Sequence, residues 1–139
     1  MDATGNLDLK LLSLNVRGIR DFKKRKSIIN WIIKQKADIA FLQETYSTVE
    51  SEAERRYQWR GNLFFAHGSN HSKGTLVLIR KELDFEVKNV IVDNNGRFII
   101  MRAEIQNSPF VLANIYAPNE CNFYNDLSQT LDSFGIDPD

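Results

Sequence analysis

Cysteine is nearly missing from this sequence. Cys121 is the single one among 139 residues, so no disulfide can form within the chain, and a reducing intracellular setting, nucleus or cytoplasm, is expected. Long apolar runs are missing too: nothing approaches the roughly 18 residues of a membrane span, and the N-terminus lacks the apolar stretch of a signal peptide. There is no Walker-type glycine loop and no Gly-x-Ser-x-Gly elbow, which removes the commonest signatures of nucleotide hydrolysis and serine esterases. Net charge is zero, with 18 Lys and Arg against 18 Asp and Glu, so the total says nothing about a polyanionic partner.

What is present is an ordinary globular composition, 42% hydrophobic and 26% charged, in a chain of one domain's length. Charge is unevenly placed. Residues 1–36 carry nine Lys and Arg against three Asp, whereas residues 120–139 carry five acidic residues and no basic one. A basic N-terminal face could therefore meet a polyanion.

"LKLLSLNV" reads as a buried strand ending near Asn15, and "KKRKSIINWIIKQK" as an amphipathic helix with Ile28, Ile29, Ile32 and Ile33 on one face. Its first turn is basic, which opposes the helix dipole. "ADIAFLQ" is a second strand, and strand–helix–strand with short links favours a parallel pair. Both strands then end on one edge of the sheet, which brings Asn15 and Glu44 together where open α/β sheets place their ligands. "STVESEAERRYQW" has weak helical character, and "NLFFAHGSNHSKG" is a short apolar piece running into a polar loop. "TLVLIR", "FEVKNVIVD", "RFIIMRAEI" and "FVLANIYA" follow as four strands whose spacing suits an antiparallel meander. Phe123, Leu127, Thr130, Leu131 and Phe134 share one face of a last helix ending near Gly135. The order is that of an α/β or α+β fold.

Asn15, Glu44, Tyr116 and Asn119 all stand at predicted strand ends. One carboxylate with amide oxygens nearby suits Mg²⁺, and tyrosine hydroxyls and asparagine amides can bind phosphate oxygens. On spacing alone, polar residues at strand ends are more often caps and turns. His67 and His71 have the i, i+4 spacing of zinc ligands on a helix, but "HGSNH" reads as a loop without a third ligand. Cys121 lacks a catalytic partner, and Trp31 and Trp59 read as core residues.

"SLNVRGIR", "INWIIKQKADIAFLQET", "GTLVLIRK", "GRFIIMRAEI" and "VLANIYAPN" occur in this order. Together they resemble the endonuclease/exonuclease/phosphatase superfamily, which includes exonuclease III-type apurinic endonucleases, DNase I-like nucleases and the endonuclease domain of non-LTR (LINE-type) retrotransposons. "NIYAPN" with "W-x-G-x-x-F-F-A-H-G…SKGTLVLI" leans to the retrotransposon branch. The resemblance implies hydrolysis of a phosphodiester in double-stranded DNA with Mg²⁺ or Mn²⁺. Glu44 would be the metal-binding carboxylate, Asn15 the amide beside metal and phosphate, Tyr116 the contact to the scissile phosphate, and Asn119 a DNA contact. Arg17, Arg20, Lys23, Lys24 and Lys73 are the candidate DNA-binding cations. Arg17 departs from the pattern, standing where relatives often carry Asp or Asn.

The family pattern continues with a "GDFN" strand and an "SDH" motif that orients the attacking water, and neither is in this sequence. The resemblance thus implies a tail over 1–7, and over 8–139 the first half of a DNase I-like four-layer α/β sandwich, a mixed β-sheet with flanking helices. Such a half would be inactive alone. Its inner sheet face, with Leu76, Leu78, Ile99, Met101, Val111 and Ala113, would meet water unless covered by a C-terminal half or a second copy, and a reverse transcriptase could share the polyprotein. Two other readings remain: a non-catalytic remnant binding DNA or protein through Lys23, Lys24, Arg25 and Lys26, or a lipid or inositol phosphatase or RNA deadenylase of the same superfamily.

Overall fold

A computed structural model describes residues 8–118 and 122–135. Two sheets are stacked face to face. The first holds β1 (Leu11–Asn15), β2 (Ile39–Gln43), β4 (Thr75–Ile79) and β3 (Asn62–Ala66) in that spatial order; the second holds β5 (Phe85–Val92), β6 (Phe98–Ile105) and β7 (Ser108–Ile115). Helix α1 (Phe22–Lys34) links β1 to β2, which run parallel, and every other pairing is antiparallel. A 3₁₀ turn at Val49–Ser51 leads into the short helix α2 (Glu52–Gln58), and α3 (Phe123–Ser133) follows the second sheet.

The period-2 alternation of strands sorts side chains into three buried layers. Ala40, Leu42, Leu76 and Leu78 face out of the first sheet onto Ile29 and Ile32 of α1 and onto Trp59. Ile39, Val77 and Ile79 point the other way and meet Ile99, Met101 and Leu112 of the second sheet. Phe98 and Ile100 leave the opposite face of β6 and pack on Phe123, Phe134, Leu127 and Leu131 around α3. The result is helix, sheet, sheet, helix, with each fully buried Ile or Leu contributing about 1.5–3 kcal/mol of apolar burial.

Four expectations change. "TLVLI" does not open a four-strand meander: all five residues are buried, which marks a central strand, and β4 sits between β2 and β3. "NLFFA", read only as an apolar piece, is the strand that pairs with it. The exposed inner face does not exist as expected either. Both sheets lie in this chain and cover one another, which buries Ile99 and Met101, while Leu76 and Leu78 are buried on the other face of the first sheet under α1. Val111 is 41% exposed and Ala113 is also exposed on the outer face of β7. Trp59 is a core residue whose Nε1 donates to the Ile79 carbonyl at 3.1 Å, but Trp31 is 42% exposed.

The basic start of α1 is offset locally. Asp21 caps the helix by accepting from the Lys24 N–H at 2.8 Å, placing an acidic group where the dipole favours one.

Candidate active site

Parallel pairing sets Asn15 opposite Gln43, so Glu44 lies one residue beyond the paired end of β2. The Asn15 amide Nδ2 donates to Glu44 Oε2, across 29 positions of chain. Asn15 Oδ1 accepts from the Arg17 N–H at 3.2 Å, so this one side chain ties both strand ends. Glu44 has φ 57° and Arg17 φ 50°, left-handed conformations that cost a non-glycine residue about 1–2 kcal/mol each. The neighbouring contacts hold them there. Gly18 N–H donates to the Glu44 carbonyl at 2.6 Å, and Ile19 N–H to the Thr45 carbonyl at 3.1 Å. Gly18, at φ 87°, lies under the Tyr46 ring so closely that a Cβ would fall 2.4 Å from Cδ2.

A third segment locks the pair in place. Thr45 and Tyr46 donate to the carbonyls of Gly74 and Lys73, at 3.0 and 2.9 Å. Gly74 in turn donates to Gly96 at the β5–β6 turn, and Tyr116 N–H donates to the Arg97 carbonyl at 2.7 Å. The two sheets are joined at this same rim by Asn114, which is buried. Its Nδ2 donates to the carbonyls of Leu42 and Leu76 at 3.0 and 2.9 Å, and its Oδ1 accepts from Gln43 Nε2 at 2.8 Å. Tyr116, two residues beyond Asn114, therefore leaves β7 at the end of the sandwich where Glu44 leaves β2.

Of the residues singled out from sequence, the structure joins Asn15 and Glu44 directly and carries Tyr116 to their rim. Asn119 and Cys121 lie outside the described residues. Arg17, Arg20, Lys23 and Lys24 are exposed, and Lys24 Nζ reaches the Arg17 carbonyl at 3.3 Å. Lys73 is half-buried with φ 61° on the third loop. Arg25 is not part of a basic surface. It is fully buried, donating to the carbonyls of Ile19 and Arg20, to Gln58 and to Glu54. His67 takes no metal-like partners: Nε2 meets Glu52 Oε2 at 2.7 Å, the ring stacks on Phe65, and no group of three His, Cys, Asp or Glu gathers among the described residues. The hydrogen bond to His67 holds the Glu52 carboxyl below its ordinary value. Asn114, Gln43 and Gly74 were missed by sequence reading; the only signal was an asparagine inside an apolar strand.

The loops are braced from behind by a buried ion pair. Arg97 donates to Asp93 at 2.6 Å and 2.9 Å and to Asp126 of α3 at 2.7 Å. Although burial opposes it, hydrogen bonding from Arg97 keeps the Asp93 carboxyl below its ordinary value, while Asp93 raises the Arg97 guanidinium further.

The chain that folds into this two-sheet sandwich matches a known family. The model of the Endonuclease/Exonuclease/phosphatase family aligns with residues 12–132 of the chain. The chain belongs to that family. Among curated proteins, this endonuclease/exonuclease/phosphatase chain is similar to the transposon TX1 uncharacterized 149 kDa protein of Xenopus laevis, 29% identical over 132 residues, covering 90% of the chain and 10% of that protein. Among solved structures it is similar to the AP endonuclease LMAP from Leishmania major, with TM-score 0.62 and 18% identity over 91% of this chain and 45% of that one. The endonuclease domain of TRAS1, a telomere-specific non-LTR retrotransposon, gives TM-score 0.61 and 14% identity over 91% of this chain and 54% of that one. The chain thus spans a tenth of the transposon relative and about half of the two structures.

The rim residues fit a hard divalent cation in part. Glu44 brings one half-buried carboxylate and Asn15 an amide, and Mg²⁺ is commonly held by one or two carboxylates, with water and substrate phosphate completing its shell. Asn15 also fixes which way that carboxylate turns.

Proposed function

We propose that this chain carries the metal-binding side of a Mg²⁺-dependent endonuclease acting on double-stranded DNA, of the retrotransposon type. The observation that supports it is the pairing of Asn15 with Glu44 at two parallel strand ends, in a loop that holds Glu44 in a left-handed backbone conformation. Glu44 and Asn15 would hold Mg²⁺ or Mn²⁺, and the bound ion would neutralise charge on the phosphate. Tyr116 would donate its hydroxyl to a phosphate oxygen, with Asn119 on the same segment. Arg17, Arg20, Lys23, Lys24 and Lys73 would hold the DNA backbone.

Hydrolysis also needs a group that takes the proton of the attacking water. The described rim offers no such group beside Glu44, so we infer that a further segment completes it. The side for that segment is open: β1 and β7 are outer strands of their sheets, with Leu11 at 48% exposure on one and Val111 and Ile115 exposed on the other. A C-terminal half of the domain fits this side, and a second copy of the chain is the alternative. A reverse transcriptase in the same polyprotein would be the natural neighbour of a retrotransposon nuclease. The basic-remnant reading loses weight because Arg25 is buried.

Plasmid nicking with Mg²⁺, run beside Mn²⁺ titration on the parent and Glu44→Ala, tests this. Mn²⁺ binding by the parent alone, with nicking by neither, is the expected result. Nicking by the parent would mean that paired chains assemble a whole site. Mn²⁺ binding that survives Glu44→Ala would overturn the assignment.

A further inference from the structure

Two arginines are buried on the same side of the first sheet, and only one is satisfied. Arg25, 0% exposed, donates to four acceptors, including the Glu54 carboxylate at 2.7 Å. Arg55 of α2 is 3% exposed, and its Nε and Nη2 are buried with no hydrogen-bond partner. Burial above all, and then the nearby Arg25 charge, lowers the Arg55 guanidinium to about 10, so it still carries its charge at neutral pH. A buried guanidinium with unbonded donors and no hydrogen-bonded counterion is unfavourable. Water could satisfy the donors, but only an anion offsets the charge.

Arg55 lines an open cavity of about 450 Å³ together with Arg20, Tyr46 and Asn70. Glu54 and Glu50 also border it. Glu54 eases the Arg55 charge from nearby but gives its hydrogen bond to Arg25, and Glu50 is bonded by its own backbone N–H and by Thr48, so the Nε and Nη2 donors of Arg55 stay unmet. Tyr46 is two residues beyond Glu44 and covers Gly18, so the loops of Arg20 and Tyr46 that line the cavity also carry the metal-binding rim.

We propose that this cavity is a second phosphate site, in which Arg55 and Arg20 hold a backbone phosphate of the nucleic acid other than the one being cleaved. This rests on the nuclease reading for the source of the phosphate, but not for the anion chemistry. A strand lying across the rim would then be fixed at two points, the scissile phosphate at Glu44 and Asn15 and a second phosphate at Arg55. The subsite would set the position of the strand and add a counterion-release term to binding.

The test uses the 139-residue chain and its Arg55→Met, Arg20→Gln and Glu44→Ala variants without divalent metal. Inorganic phosphate at constant ionic strength should raise the melting temperature of the parent and of Glu44→Ala, less that of Arg20→Gln, and not that of Arg55→Met. Without ligand, Arg55→Met should melt at or above the parent, because it removes an unpaired charge. For duplex DNA, Arg55→Met should lower the slope of log affinity against log salt by about 0.9, the value of one phosphate contact. A phosphate effect with an unchanged DNA slope would mean that the site takes free phosphate, overturning the nucleic-acid source. No phosphate effect on the parent, or an equal one on Arg55→Met, would overturn the site itself. Should Arg55→Met melt well below the parent, Arg20→Gln, altered at an exposed position, carries the same two readouts, and an undiminished phosphate shift in it would overturn the proposal. Loss of Mn²⁺ binding in Glu44→Ala is read separately, so failure of the metal assignment leaves this result standing.

Discussion

The interior of the sandwich and the rim at its strand ends obey different rules. Inside, alternate residues of β2, β4 and β6 divide cleanly between layers, and Ile39, Ile79, Ile99, Ile100 and Met101 are shut off from water. At the rim, Arg17, Glu44, Tyr46 and Lys73 all take left-handed backbone conformations, and they come from three separate loops. Among the described residues, the other non-glycine positions of that kind, Lys36, Gln106 and Asn107, sit at a helix end and a hairpin turn, where such geometry is ordinary. Stability is concentrated in the layers, and part of it offsets the left-handed backbone of the rim.

The contrast can be broken most forcefully through the brace between the two regions. Asp93→Asn should destabilise the chain by about 3 kcal/mol, the low end for one half of a buried ion pair because Asp126 still serves Arg97. Urea unfolding would show it, and a cost near zero would mean the pair is not a brace. Its pH dependence has a definite sign. The folded Asp93 carboxyl sits below its ordinary 3.8, so its contribution is complete above that value and lost as pH falls through the lower folded one.

Within the layers, Ile99→Ala should cost about 2–4 kcal/mol by transfer and cavity terms, while leaving Mn²⁺ affinity unchanged. A parallel loss of metal binding would show that the rim is not insulated from the core. At the rim the expectation reverses. Glu44→Gly should abolish Mn²⁺ binding, yet hold or raise stability by up to about 1 kcal/mol, because glycine accepts φ 57° without strain. A clear drop in melting temperature would mean that the Asn15–Glu44 bond outweighs that strain. The smallest effect is expected at Glu52. Its carboxyl lies below the ordinary 4.5 through its bond to His67, so Glu52→Gln should slightly reduce stability at neutral pH and make no difference once acid protonates the parent residue. Melting curves at the two pH values would resolve it.

Much of the fold and of the rim is legible in the residues. The spacing of Ile29 and Ile32 and the run "AFLQ" are local patterns, and parallel pairing of strands joined by a short crossover follows from chain geometry, so the residues alone set Asn15 beside Glu44. The partner of β4 is not legible. "TLVLI" is apolar throughout, and such a run fits any central position in a sheet; pairing with β2 and β3 is decided by contacts far away in sequence. Arg25 reads as one of four basic residues in a row, because a charged run carries no mark of which member turns inward.

The sequence by itself determined the periodicities, the family motifs and the strand ends where a carboxylate and an amide stand. Only the tertiary structure decided that both sheets close on each other within this chain, that Arg25 is satisfied while Arg55 is not, and that Asn114 stitches the two sheets behind Glu44. The physical reason is range. Alternation and helical spacing are fixed between near neighbours, whereas burial, pairing and unpaired charge depend on what the folded chain brings from far along the sequence, as with the 72 positions between Asn114 and Leu42.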